Sequence, residues 1–369
     1  MLFLTNEQRK FFAIPPIEDN WKRIEFDGET NYRAPKKIFA YVDGNNIKKV
    51  VETGEKWYNE YGVDERVSDD FKFILPKTAK GSPKPLRSST FEKITPHGVG
   101  LFFSSEDSKS FVLIDSCDTQ QYYYCSRSET DDLFGLSFEE WVKMWCEQST
   151  KEDIDDIYAF SKMERKHVKY REGDFFRFKI GRRSYGYGRI LKDYSLMRKN
   201  KTPFWDVFMG KPLIVAVYHI ITERKDVSSS ELIGKMMLPA QHIMDNVFYY
   251  GECEIFDNRP IEWNETEYPI NYGEGLELRQ PPNRPIYFQC GPVFKKIDGG
   301  ELLFPDVNLR NGAIGFSLNV KKSVLEKCIL ENSNAPYWDS IHPKWRREDL
   351  RAPENADKLK AVKKQFGIE

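Results

Sequence analysis

Nine residues, Leu213 to Ile221 (Leu-Ile-Val-Ala-Val-Tyr-His-Ile-Ile), constrain this chain more than any other segment. A strand with one wet face alternates apolar and polar side chains, because successive side chains point to opposite faces. This run does not alternate, so it predicts a central strand covered on both sides. Such a strand needs partners, and the preceding residues supply them. Phe176, Phe178 and Ile180 alternate with Arg177 and Lys179, the pattern of a strand with one buried face. Gly181 to Ser184 can turn the chain, and Tyr185 to Leu191 returns as a second strand. Gly251 to Phe256 reads as another, and helical signals between them are weak. Residues 167–261 are therefore expected to form a sheet-rich central domain, either a curved antiparallel sheet or a small barrel.

The flanks read differently. Residues 1–149 mix both periods and form an α+β N-terminal domain. Thr5 and Gln8 make a capping box before a short helix carrying Phe11 and Phe12. Asp43-Gly44-Asn45-Asn46 marks a hairpin within Ile38 to Val51. Lys77 to Ser89, rich in Lys, Ser and Pro, reads as a loop. Phe102-Phe103, Phe111 to Ile114 and Tyr122 to Tyr124 read as strands. Ser137 and Glu140 cap a helix whose Phe138, Trp141, Val142 and Trp145 recur at spacings of three and four, so the two tryptophans are expected in the core. Thr150 and Asp153 cap a further helix, expected to link the domains over 150–166.

Residues 262–369 form a mixed extension expected to pack on the central domain. Pro281, Pro282 and Pro285 precede a strand at Ile286 to Cys290. Val293 to Ile297 and Glu301 to Phe304 flank Asp298-Gly299-Gly300 as a second hairpin. Leu318 to Leu330 reads as a helix with Leu318, Val324, Leu325 and Cys328 inward. Ala356 to Phe366 is a lysine-rich last helix, expected to dock loosely. The fold class is α+β throughout.

Composition removes several function classes. Aromatics are 14% of 369 residues, enough to build more than one core. A formal charge of −1 argues against the whole chain binding nucleic acid. The six cysteines are scattered with no C-x-x-C pair, which supports neither a disulfide scaffold nor structural zinc. No stretch reaches the roughly 20 apolar residues of a membrane span. Met1 to Leu4 is apolar but Thr5 to Lys10 is polar, so no leader is expected and the protein reads as cytoplasmic.

Catalytic templates are missing. The histidines (His97, His167, His219, His242, His342) never fall at ligand spacing, and neither H-E-x-x-H nor G-x-S-x-G occurs. His219, inside the apolar run, reads as a hydrogen-bonded core histidine. No catalytic residue, metal or cofactor is assigned. The densest chemistry lies at Gly181 to Arg189, with three arginines, two tyrosines and three glycines in nine residues. On a strand, Tyr185, Tyr187 and Arg189 share one face and Gly186 and Gly188 leave the other flat. Two readings stand side by side. Arg182, Arg183, Tyr185, Tyr187 and Arg189 form a partner-binding face, since Tyr and Arg dominate interface hot spots. Alternatively the glycines admit a close neighbour and the arginines are merely solvated. Arg182 and Arg183, in the turn, are expected to be exposed. The G-x-x-x-x-G-K-[ST] phosphate loop is absent, and Glu172, Asp174 and Asp193 beside the patch disfavour a nucleic-acid groove.

Glu172-Gly173-Asp174-Phe175-Phe176, followed by Tyr185-Gly186-Tyr187-Gly188-Arg189-Ile190 and the apolar strand Leu213 to Tyr218, resembles the bacterial immunity protein 26 family. Asp245-Asn246, Tyr249-Tyr250-Gly251 and Glu254-Ile255 are similar to that family's closing strands. The resemblance covers about a quarter to a third of the chain, in the central region. It implies a protein that neutralises a cognate toxin of a polymorphic toxin system by direct binding. The alternatives are a phosphoesterase-like hydrolase, for which no histidine-rich site is present in the sequence, and a nucleic-acid-binding module.

Overall fold

Contacts divide the chain into two units, Met1–Lys166 with Gly181–Arg183, and His167–Ile180 with Ser184–Glu369. The computed structural model describes residues 1–28, 36–106, 109–126, 135–195, 211–262, 267–274, 285–305 and 318–368. Pro281 and Pro282 lie outside them.

The first unit opens with a short helix, Asn6–Arg9 (α1), entered through the Thr5 and Gln8 capping box. Strands follow at Lys22–Gly28 (β1), Lys36–Asp43 (β2), Asn46–Thr53 (β3) and Trp57–Arg66 (β4). The hairpin between β2 and β3 turns at Gly44, whose φ of +54° suits glycine. The lysine- and proline-rich loop holds more structure than its composition suggests: Phe73–Ile74 (β5) pairs with Lys84–Pro85 (β6), and Ser88–Phe91 (α2) follows. His97–Glu106 (β7), Lys109–Ser116 (β8) and Gln121–Cys125 (β9) complete the strands. Seven of them form one antiparallel sheet in the order β1-β2-β3-β4-β7-β8-β9.

That sheet is buried on both faces. On one, Phe39, Tyr58, Leu101, Phe103 and Ile114 pack with Phe138, Trp141, Val142 and Trp145 of the helix Phe138–Gln148 (α3). Phe12 stacks on both tryptophans, with ring centroids 5.7 and 5.9 Å apart, so the tryptophan pair is core. On the other face, Ile38, Ala40, Ile47, Val50 and Val63 pack with Leu86 and Phe91. The second capped helix, Lys151–Ser161 (α4), directs Ile157 and Phe160 into the first core.

Within the α3-covered core lies one buried charge cluster. Glu60 on β4 is fully buried and accepts from Arg9 Nε at 2.8 Å and Lys49 Nζ at 2.7 Å. Tyr58 donates its hydroxyl to the same carboxylate, and Lys49 also reaches the Pro15 carbonyl. The cluster ties the N-terminal helix to the middle of the sheet.

The second unit is built on five antiparallel strands: Asp174–Lys179 (β10), Tyr185–Asp193 (β11), Pro212–Thr222 (β12), and two that follow a single helical turn at Ser229–Leu232 (α5), namely Gln241–Met244 (β13) and Glu254–Asn258 (β14). Their order is β13-β12-β11-β10-β14, an open sheet and not a closed barrel. The apolar run is paired on both edges, to β11 along its length and to β13 at Pro212 to Val215. Its side chains divide between two buried faces, as a doubly covered strand requires. Leu213, Val215 and Val217 meet Phe176, Phe178 and Phe248, while Ile214 and Ala216 meet Tyr268 and Tyr287. Between β13 and β14 the chain makes a short helix, Asn246–Tyr249 (α6), where the sequence suggested strand. Asp245 and Asn246 carbonyls take the Tyr249 and Tyr250 amides, closing that turn.

The C-terminal part adds Ile270–Glu274 (β15), Ile286–Cys290 (β16) and Val293–Ile297 (β17), a three-stranded antiparallel sheet. Glu301 to Phe304 is not a strand. β17 already pairs with β16, and the Leu303 amide is met by the Tyr272 hydroxyl at 2.7 Å instead of by a neighbouring strand. Four helices end the chain: Lys322–Glu331 (α7), Ala335–Ser340 (α8), Pro343–Glu348 (α9) and Ala356–Gln365 (α10). Leu325 and Cys328 of α7 enter the central core, whereas Leu318 and Val324 are half-buried beside it. The last helix is firmly docked, contrary to its lysine-rich composition. Val362 is fully buried and Phe366 nearly so, against Tyr272 and Phe288. Lysines on the outer face of a helix do not weaken an apolar inner face.

Candidate partner-binding region

The segment from Arg182 to Arg189 falls into two settings. Residues 181–183 group with the first unit, where both arginines meet the turn joining α3 to α4. That turn brings together the unsatisfied carbonyls ending α3 and the capping carboxylate beginning α4. Arg182 lays its guanidinium 3.8 Å from the centre of the Trp145 ring and donates to the Trp145 carbonyl (3.2 Å) and Ser149 Oγ (2.6 Å). Arg183 forks onto Asp153, with Nε 2.9 Å from Oδ1, and donates to the Gln148 carbonyl at 2.6 Å. α3 has no basic residue in its own last turn, and these two arginines supply the positive charge its C-terminus favours.

Asp153 holds this arrangement together. It accepts from the Thr150 amide at 2.8 Å to close the capping box while receiving the Arg183 fork. Burial pushes its carboxyl up, but hydrogen bonds from Arg183 and Thr150 and the charge of Arg182 outweigh burial and hold it well below the usual carboxylate range. The expectation of exposure holds for Arg183 and is corrected for Arg182. Arg182 is largely covered, with side-chain exposure of 12%, and only Arg183, at 44%, keeps an accessible edge.

Asp153→Ala is expected to destabilise the first unit by about 2 kcal/mol, since it removes a cap and a charged hydrogen-bond acceptor together. A thermal melt of the variant checks this, and an unchanged midpoint would show the fork to be incidental. The double change Arg182→Glu with Arg183→Glu is likewise expected to lower the midpoint.

Tyr185, Tyr187 and Arg189 lie on β11 in the second unit, on one side of the strand as the period-2 pattern requires, and that side is interior. Their exposures are 8%, 0% and 2%. Tyr187 donates its hydroxyl to the Arg224 carbonyl at 2.6 Å. Arg189 donates to the carbonyls of Arg259 (2.8 Å) and Pro260 (2.6 Å), and its guanidinium sits 4.6 Å from the Phe175 ring centre. Val227, Leu232 and Tyr218 complete this core. The flat side of β11 is occupied too. A Cβ on Gly186 would lie 2.5 Å from the Phe178 ring, and one on Gly188 would lie 2.3 Å from the Phe176 ring and 2.6 Å from the Ala216 carbonyl oxygen. The glycines are there so that two phenylalanines of the neighbouring strand can cross them.

A signal for this burial was in the sequence. β12 is apolar on both faces, so the strand beside it is also covered on both faces, whatever its own polarity. The capping arginines carried no such signal, because their partners lie about 30 residues earlier in the chain.

His219, His242 and His97 each have a structural setting of their own. Nε2 of His219 pairs with Asn334 Oδ1 at 2.9 Å, in agreement with a core histidine. His242 is buried and kept neutral, its value pushed down to about 3 by burial and by nearby Arg351. Nδ1 of His97 meets Asp118 at 3.1 Å on the surface. Among the described residues no three His, Cys, Asp or Glu side chains gather in a way that could hold a metal ion. No helix among them is long and apolar enough to cross a membrane.

The chain is thus an α+β protein whose second unit is organised around an open, doubly covered antiparallel sheet. Residues 171–279, which take in that sheet from β10 onward and β15, match the family described as Immunity protein 26. The match falls on the central region that carried the sequence resemblance. No curated protein and no solved structure matches the chain.

Proposed function

We propose that this protein is an immunity protein that neutralises a cognate bacterial toxin of a polymorphic toxin system, inside the cell, by direct protein–protein binding and without catalysis. The observation that carries the reading is the match of residues 171–279 to Immunity protein 26. The five residues singled out from sequence divide by accessibility on this reading. Arg183, whose fork is held by Asp153, is the exposed one of the five and brings a positive charge to the surface that an acidic partner could meet. Arg182 holds the turn that presents it, and Tyr185, Tyr187 and Arg189 serve the core of the second unit.

An immunity gene is expected to sit beside its toxin gene, and the test is co-expression with such a neighbouring toxin. Cells making both proteins are expected to survive, and the two are expected to elute as one complex. Survival without any complex at micromolar concentration would point to an indirect mechanism and reject the reading. So would turnover of a phosphoester substrate that accounts for protection.

A further inference from the structure

The first unit carries a carboxylate that its own fold leaves without a counter-charge. Asp115 lies on β8 with Gly100 of β7 directly opposite on one side and Tyr122 of β9 on the other. Residues directly opposite one another in antiparallel strands share a face. Val112 and Ile114, the alternate residues of β8, enter the core beneath α3, so Asp115 stands on the other face. Leu86 and Phe91 cover that face over β2, β3 and β4, and the cover thins toward β9. Phe102 and Leu113, paired in the next row, are half-buried and belong to neither core, while Tyr122 is 43% exposed.

Asp115 is itself half-buried, and the missing side chain at Gly100 lets its carboxylate lie against the sheet. A Cβ on Gly100 would come within 3.1 Å of Asp115 Oδ1. Among the described residues no ion pair and no side-chain hydrogen bond reaches this carboxylate, and its one donor is its own backbone amide. Burial pushes the carboxyl up to about 6, with no cation to hold it down. The neighbouring ionisable groups are already accounted for. Glu52 accepts from the Tyr61 hydroxyl at 3.1 Å, and Asp118 meets His97. The Cys117 thiol is pushed up to about 12 by burial and stays uncharged.

A carboxylate in apolar surroundings without a partner costs stability, and groups so placed concentrate at functional sites. What Asp115 lacks is a cation, and its setting narrows which one. A metal ion takes several oxygen ligands, and among the described residues no three His, Cys, Asp or Glu side chains gather to supply them. A small amine is held by an enclosing cavity, whereas Phe102, Leu113 and Tyr122 make an open strip on a sheet. Lysine and arginine suit such a strip, because their methylene stems pack on apolar surface while their heads carry the charge.

We propose that Asp115 receives a lysine or arginine side chain of a partner protein, whose stem lies across Phe102, Leu113 and Tyr122. The partner's identity rests on the immunity reading, on which it is the toxin. The contact would then involve the first unit, outside the residues that match the family.

Asp115→Asn in the full chain is the test. A carboxyl raised in the folded state opposes folding above its unfolded value. The free variant should therefore melt higher than wild type above about pH 6 and equally below about pH 4. Its binding to a neighbouring toxin should nevertheless be at least tenfold weaker. Two fluorescein-labelled peptides with a central lysine between leucines, ε-acetylated in one, give a toxin-free check by anisotropy. The free-lysine peptide is expected to bind wild type at least tenfold more tightly, and Asp115→Asn to abolish that difference. Equal binding of the two peptides, binding of neither, or a difference that survives Asp115→Asn would overturn the site. So would a variant that melts lower than wild type at neutral pH. A toxin that binds wild type and Asp115→Asn equally well rejects the contact and leaves the immunity reading standing. If the toxin ignores wild type, the immunity reading fails, and the peptides still decide the site.

Discussion

Gly188→Ala is expected to cost about 3 kcal/mol, at the upper end of what overpacking a core strand usually does. Two obstacles meet the added methyl group. One is the Phe176 ring at 2.3 Å, the other the Ala216 carbonyl oxygen at 2.6 Å on the neighbouring strand. A ring can rotate, but a backbone oxygen in a sheet moves only if the ladder moves. Gly186→Ala should therefore be milder, because the nearest atoms to its added Cβ all belong to the Phe178 ring. The same distinction predicts incomplete rescue: Phe176→Leu combined with Gly188→Ala relieves the ring clash and leaves the carbonyl clash. Thermal or urea unfolding of the three variants checks the order. A Gly188→Ala protein as stable as wild type would mean that β10 and β11 do not pack as described.

Glu60→Leu is expected to be the most damaging single change in the first unit, at about 3–5 kcal/mol. Leucine leaves no cavity, so the main loss is electrostatic: Arg9 and Lys49, at 3% and 2% exposure, would be left as buried cations without their carboxylate, and the Tyr58 hydroxyl without its acceptor. The pH dependence gives an independent check. Burial pushes the Glu60 carboxyl up, but Lys49 and Arg9 more than offset it, and the net value falls below that of an ordinary glutamate. A carboxyl depressed in the folded state stabilises above its unfolded value, and that contribution is lost as pH falls through the folded value. The gap between wild type and Glu60→Leu should thus be widest near neutral pH and narrow in acid. A gap independent of pH would show that Glu60 acts through packing alone.

Much of the architecture was legible because it is written in local periods. The capping boxes at Thr5, Ser137 and Thr150, the stripe from Phe138 to Trp145, and the doubly covered run at Leu213 need only neighbours in sequence to be recognised. Errors came where apolar residues had another use. Leu302 and Phe304 look like a strand edge, yet they fill the core under α10 without pairing. The last helix was expected to dock loosely for its lysines, yet Val362 and Phe366 carry it into the core.

The candidate binding residues show the same boundary more sharply. Which side of β11 each of Tyr185, Gly186, Tyr187, Gly188 and Arg189 occupies follows from the strand period alone, and the structure agrees. Whether a side faces water or protein does not follow from β11's own residues: the doubly apolar run beside it hints at cover, but which segments supply that cover depends on the tertiary fold. Arg189 is buried because carbonyls 70 residues later accept its protons, and Arg182 is covered because Trp145 lies beneath it. Local sequence determined the elements, their caps and the alternation of their faces, since those depend on backbone geometry within a few residues. Tertiary structure alone decided which polar side chains are partnered, since desolvation and hydrogen bonding depend on whatever the folded chain brings near.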